Sequence, residues 1–176
     1  MEMPLLQRFM RFMSNSRIVP DARLLEWYPP FRPMRIKVVE ISNEWRHVRI
    51  RLPLNAMSRN PGGVMFGGYQ AALADPIAAL ACARVFPGHS VWTRAMAISF
   101  EHGGNSDLEM RFSLTHEQER AISIELERDG RSTPTFEYGY FRSDGVRCTV
   151  VRNTVAIRPR GYQRATTPPA SPENVE

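Results

Sequence analysis

One carboxylate, Asp75, stands in the apolar run from Tyr69 to Ala83, where Gln70 is the only other strongly polar side chain. Burying a carboxylate in such surroundings is costly unless it is paired, protonated or used. Used, it has two chemistries open to it. It can act as a general base on water, or as a nucleophile toward an activated carbonyl. Just upstream lies Asn60-Pro61-Gly62-Gly63-Val64-Met65-Phe66-Gly67-Gly68. Glycines opening a helix leave backbone N–H groups free at its positive end, so the Gly67 N–H is placed to polarise a carbonyl oxygen.

Each of these residues also has an ordinary reading. Asp75-Pro76 is the pairing that caps a new helical segment, and Pro76 predicts a kink. Gly67 and Gly68 suit a turn required by backbone geometry alone. Asn60 before proline is a common loop signal, and a β-branched Thr93 needs no role beyond its strand.

The elements that must hold these residues follow from the pattern. Leu5, Leu6, Phe9, Met10 and Met13 fall at helical spacing, and Asp21 is positioned to cap a second short helix through Trp27. The runs 35–41 and 47–52 alternate, with Asn43-Glu44 between them as the turn of a hairpin. The buried helix runs from about Gly67 to Phe86, ended by Pro87-Gly88. Strands follow over 91–100 and 108–114. Residues 116–128 carry two signals. Ile122, Ile124 and Leu126 alternate as in a strand, whereas Thr115-His116-Glu117-Gln118 has the form of a capping box with Gly130 beyond the end, which favours a helix. A final hairpin spans 135–141 and 146–157 around Ser143-Asp144-Gly145, and a tail rich in Pro, Thr and Ser predicts disorder from residue 159. The sum is an α+β domain in which an antiparallel sheet encloses one long helix. That helix is apolar on every side, so a second subunit is the natural cover.

The formal charge of +5 comes from arginines and a single lysine, Lys37. Such a surface suits anionic partners, including nucleotide phosphates, but the arginines are spread along the chain without a nucleic-acid motif. Cys82 and Cys148 have neither metal nor redox spacing and read as buried thiols. His47, His89 and His116 lack ligand spacing, and His102-Gly103-Gly104 reads as a turn between strands. The apolar stretches are too short for a membrane span and no signal peptide is visible, which predicts a cytoplasmic protein that binds neither membrane nor nucleic acid.

The segment from Asn60 through Gly63, Phe66, Gly67 and Gly68 to Asp75 resembles the signature of hotdog-fold acyl-CoA thioesterases of the phenylacetyl-CoA thioesterase type. That signature is Asn, two residues, Gly, two residues, His-Gly-Gly, then an acid several residues into the helix. Gly63 follows Asn60 by three positions, and Asp75 follows Phe66 by nine. Val91–Phe100 resembles the next strand, with Thr93 where a Ser or Thr often sits; the likeness covers roughly residues 34–158. Met65-Phe66-Gly67-Gly68 and Ala74-Asp75-Pro76-Ile77 are also similar to a poorly characterised bacterial subgroup of that superfamily.

The resemblance implies a hotdog domain over 34–158, with an N-terminal helical extension (1–33) and a tail (159–176). It implies hydrolysis of an acyl-CoA or related thioester, with no cofactor beyond the CoA of the substrate. Asp75, Gly67, Asn60 and Thr93 would be the catalytic residues, and Phe66, Gly68 and Gly63 would line the substrate. The site would lie between two subunits of a homodimer, with Gly67 from one and Asp75 from the other, and dimers could pair into tetramers. Phe66 departs from the pattern: it stands where many relatives carry His and cannot hydrogen-bond a carbonyl. An acyl-ligand-binding hotdog protein without turnover is therefore the alternative.

Overall fold

The computed structural model describes residues 20–162. The expected helix over 5–13 and most of the C-terminal tail lie outside them. Helix α1 (Asp21–Trp27) leads into a hairpin of β1 (Lys37–Ser42) and β2 (His47–Leu52), then a long loop and α2 (Gly67–Val85). β3 (His89–Phe100), β4 (Leu108–Ser113), α3 (His116–Asp129), β5 (Thr135–Phe141) and β6 (Arg147–Pro159) complete the order.

The six strands form one antiparallel sheet in the order β1-β2-β4-β5-β6-β3, so β1 and the twelve-residue β3 are its edges. Alternation decides which face is apolar. Val48, Ile50 and Leu52 of β2 and Leu108, Met110 and Phe112 of β4 are buried in the core that also holds α2, while Arg49, Arg51 and Arg111 point away. On that outer face Arg49 and Arg111 meet Glu109 at 3.0 and 2.7 Å.

Helix α2 lies in the concavity. Leu73, Ala74, Ile77, Ala78, Ala81 and Cys82 are fully buried. The helix does not break at Asp75-Pro76 as a cap there would require; it continues through Pro76 to Val85. Strand side chains reach its backbone at this point. Tyr140 donates its hydroxyl to the Gln70 carbonyl (2.6 Å) and Tyr138 to that of Ala74 (2.7 Å). Thr93 and Asn153 both donate to the Asp75 carbonyl, at 2.7 and 3.0 Å. Proline cannot donate to the preceding turn; these contacts hold the neighbouring carbonyls against the sheet. Gly139 makes the Tyr140 contact possible, because a Cβ there would run into the Thr149 carbonyl oxygen on β6.

One expectation fails at α1. Its N-cap position is Pro20, without a side-chain bond, and the Asp21 carboxylate instead binds the Trp45 indole N–H and the Arg84 guanidinium, tying α1 to the β1–β2 turn and α2. Helix α3 takes the helical alternative. Thr115 and Gln118 form the reciprocal capping box, and Gly130 adopts φ 66° at the C-cap.

Candidate functional site

Phe66 is the N-cap residue of α2 and has no side-chain capping bond. Its backbone N–H is held by the Ser58 carbonyl at 2.7 Å, while the Gly67 and Gly68 N–H groups make no hydrogen bond among the described residues. They are orphan donors at the positive end of a nineteen-residue helix. Three aromatic rings surround them. Phe66 packs edge-on to Tyr69 at 5.9 Å and lies over Gly68, and Phe100 at the end of β3 covers Gly67. A Cβ at position 67 would come within 2.8 Å of the Phe100 ring. Phe66 and Phe100 are respectively 50% and 57% exposed, so the helix end opens between two uncovered aromatic faces.

Asn60 and Gly63 belong to the loop that delivers this helix end. The Asn60 Oδ1 accepts the Val64 N–H at 3.2 Å and Gly63 takes φ 80°, closing the turn before Met65. Met65 in turn donates to the Gly104 carbonyl at 2.8 Å. The Asn60 oxygen is thus engaged in its own turn, and His102-Gly103-Gly104 supports that loop without starting a helix.

Asp75 corrects the sequence reading. It is exposed, on the face of α2 away from the sheet, in a stripe with Gly68, Ala72 and Ala83 that the single chain leaves uncovered. It makes no ion pair among the described residues. Its main chain is nonetheless fixed, because the carbonyl takes the Thr93 and Asn153 bonds. Burial raises the Tyr138 phenol well above its ordinary range, a donated bond from Asn153 lowers it, and the Asp75 charge raises it further. Tyr28 is raised for the same reasons, burial first and Asp75 second. Both phenols therefore stay protonated beside the carboxylate. Burial also pushes the Cys82 thiol up to about 12, in keeping with an inert core thiol.

The structure thus gathers the proposed site residues into two groups, Phe66–Gly67–Gly68 with Phe100, and Asp75 with Thr93. Eight residues of helix at 1.5 Å rise put Gly67 and Asp75 about 12 Å apart. One carbonyl cannot touch both groups of the same chain.

The helix and its N-terminal end also depend on Asn153, Tyr138, Tyr140 and Phe100, to which the sequence reading assigns no role. Asn153 carries a signal, as the one amide of a strand rich in Val; it is fully buried, and among the described residues its Oδ1 is the buried side-chain atom left without a partner. The tyrosines alternate as ordinary core residues and give none.

An antiparallel six-stranded sheet wrapped around one long helix defines the hotdog fold, and solved structures agree. A protein of unknown function from Pseudomonas aeruginosa, described as a probable thioesterase, aligns with TM-score 0.67 at 16% identity over 90% of this chain and 98% of its own. A thioesterase from Haemophilus influenzae aligns at 0.59 with 16% identity, over 80% and 90% of the two chains. A mutant thioesterase from Staphylococcus aureus gives 0.57 and 19%, over 73% and 97%. At such identities the likeness carries the fold alone. Residues 21–156 match the family described as "Domain of unknown function (DUF4442)", and the chain belongs to that family. A search of the curated proteins finds no match.

Proposed function

We propose that two copies of this chain hydrolyse an acyl-CoA or related thioester, with the Gly67 end of one helix facing Asp75 of the other copy. The observation that carries this reading is the helix end itself: unbonded N–H groups at a positive dipole, walled by Phe66 and Phe100. Such donors stabilise the oxyanion formed when a thioester carbonyl is attacked, and apolar walls strengthen them by excluding water. Asp75 supplies the other half. As a base it takes a proton from water, the hydroxide adds to the carbonyl carbon, and the C–S bond breaks to release the CoA thiolate. As a nucleophile it would form a mixed anhydride that water then opens. Thr93 and Asn153, which hold the Asp75 main chain, keep the carboxylate at a fixed height on the helix.

The separation of about 12 Å along α2 supports the two-copy arrangement. So does β3, an edge strand of twelve residues whose unpaired backbone invites another strand. The several hotdog neighbours named as thioesterases lend the reaction class further support. A second reading, an acyl-CoA binder without turnover, is favoured by one observation: Phe66 offers no hydrogen bond where an imidazole would add one.

The test is release of free thiol from acyl-CoAs of short, aromatic and long acyl chains. Hydrolysis of at least one supports the enzyme. Saturable binding without thiol release, unchanged in Phe66→His, would move the conclusion to the binder. No binding of any acyl-CoA would sink both.

A further inference from the structure

On the outer face of the sheet, behind the Thr93 contact, a cavity of about 230 Å³ is lined by Trp92, Arg94, Arg131, Ala156, Arg158 and Tyr162. Three guanidinium groups meet there and no carboxylate lines the walls. Two acids lie nearby, and Asp129 feels the charge of Arg131 as well as that of Arg128. Glu125 accepts the Ser132 hydroxyl at 2.6 Å, and Asp129 is bound by Arg128 at 2.7 Å. Arg94 and Arg131 make no hydrogen bond or ion pair among the described residues, whereas Arg46, Arg49, Arg111 and Arg152 on the same domain are all paired with glutamates.

The site is held in place by the backbone. A register shift between Thr93 and Ala95 makes Arg94 the extra residue of a β-bulge, a device that re-aims a side chain. Arg131 is placed by its neighbour Ser132, whose backbone pairs with Ile157 of β6. Arg158 is buried and spends its donors on the Ser132 carbonyl and the Thr133 hydroxyl (2.9 Å), so its charge forms a fixed floor. Trp92 and Tyr162 stack at 6.4 Å between ring centres and 28° between planes, and both remain about two-fifths exposed.

We propose that this cavity binds the phosphate-bearing end of a nucleotide, with phosphates on Arg94 and Arg131 and the base on the Trp92–Tyr162 platform. Guanidinium forks match phosphate oxygens, and three arginines around a cavity that no carboxylate lines outweigh the neighbouring Asp129 and leave a positive potential that attracts them. The volume lies below the roughly 300–1,000 Å³ of pockets that enclose a whole small molecule, which suits one end of a longer ligand lying along the surface. Two sources present this chemistry: a free nucleotide, or the nucleotide end of the CoA carrier. The second rests on the thioesterase reading, since Trp92 and Arg94 flank the residue that bonds the Asp75 carbonyl.

The probe is adenosine diphosphate, titrated calorimetrically at low salt into the full-length protein. We expect saturable binding that weakens as salt rises. Arg94→Gln with Arg131→Gln should weaken it by about tenfold or more, as expected for losing hydrogen bonds to a charged group. Unchanged melting of the variant confirms that it folds. No saturable binding below about 1 mM, or equal binding by the double variant, would overturn the site. The source is read from steady-state rates. A raised KM for acyl-CoA but not for the matching acyl-pantetheine identifies the carrier, whereas lost ADP binding with both KM values intact identifies a free nucleotide. If no thioester is hydrolysed at all, the titration still decides the site and only the hydrolase reading falls.

Discussion

Helices α2 and α3 are made by opposite means. α3 carries its own instructions: a capping box at Thr115 and Gln118, acids in its first turn, a left-handed Gly130 at its end, and a solvated face around the single buried Ile122. α2 carries almost none. It opens on two glycines, has no side-chain cap, contains a proline, and shows no polar face. Glycine and proline are the poorest helix formers, so α2 exists because the sheet wraps it and because Tyr138, Tyr140, Thr93 and Asn153 bond its carbonyls. The locally encoded helix is structural. The helix imposed by tertiary contacts is the one with unbonded N–H groups and a lone carboxylate, the features a reaction can use.

That contrast can be broken at several points. The largest effect should come from Asp75→Asn, which keeps the side chain's size but cannot take a proton. Hydrolysis should fall about a hundredfold or more with melting unchanged, while Glu117→Gln on exposed α3 leaves the rate untouched. Equal activity of Asp75→Asn and wild type in a thiol-release assay would remove Asp75 from the mechanism. For stability, Ile77→Ala in α2 should cost about 2–5 kcal/mol, the range for emptying a buried aliphatic site. Ile124→Ala, half exposed on α3, should stay within about 0.5 kcal/mol. Denaturant midpoints measure both, and similar losses would mean that α2 is not held by packing.

Smaller effects compare a local with a tertiary support for a helix. Thr115→Ala removes a local cap and should cost about 1 kcal/mol. Tyr138→Phe removes a tertiary bond to the mid-helix Ala74 carbonyl and should cost about as much, with faster amide exchange around Ala74. If exchange instead quickens across α3, the assignment of roles is reversed. The smallest effect is electrostatic. The Glu119 carboxyl is held below its ordinary value chiefly by hydrogen bonding to Arg46, at 2.8 and 2.7 Å. A depressed folded-state value means the contribution is present above the unfolded value of about 4.3. It is lost as pH falls through the folded value. Glu119→Gln should therefore lower the urea midpoint at neutral pH, and the difference from wild type should shrink as the medium is acidified through the depressed folded value.

What could be read from the sequence divides along the same line. Strands announced by alternation, such as 47–52, and the capping-box helix appear where their local signals put them. The spacing from Asn60 to Asp75 likewise located the loop and helix. Three readings failed where tertiary partners decide. The apolar sequence neighbours of Asp75 predict burial, yet a helix alternates faces and the stripe at 68, 72, 75 and 83 looks outward. Asp75-Pro76 has the form of a cap, yet side chains from β3, β5 and β6 carry the helix across it. Asp21 has the form of a cap as well, but Trp45 and Arg84, distant in sequence, claim its carboxylate. No local pattern announces Phe100 over Gly67, because it depends on where the far end of β3 comes to lie.

The close approach at Gly139 has a consequence for descent. With the Thr149 carbonyl where a Cβ would stand, this position has a one-letter alphabet as long as β5 and β6 keep their present spacing. Any side chain there must push the strands apart, and the displacement carries Tyr140 and Thr149 off Gln70, whose carbonyl and side-chain oxygens they hold at 2.6 Å. A family member with another residue at this place should therefore show a widened strand pair, together with a changed residue at 70, 140 or 149. Those four positions are expected to change together or not at all.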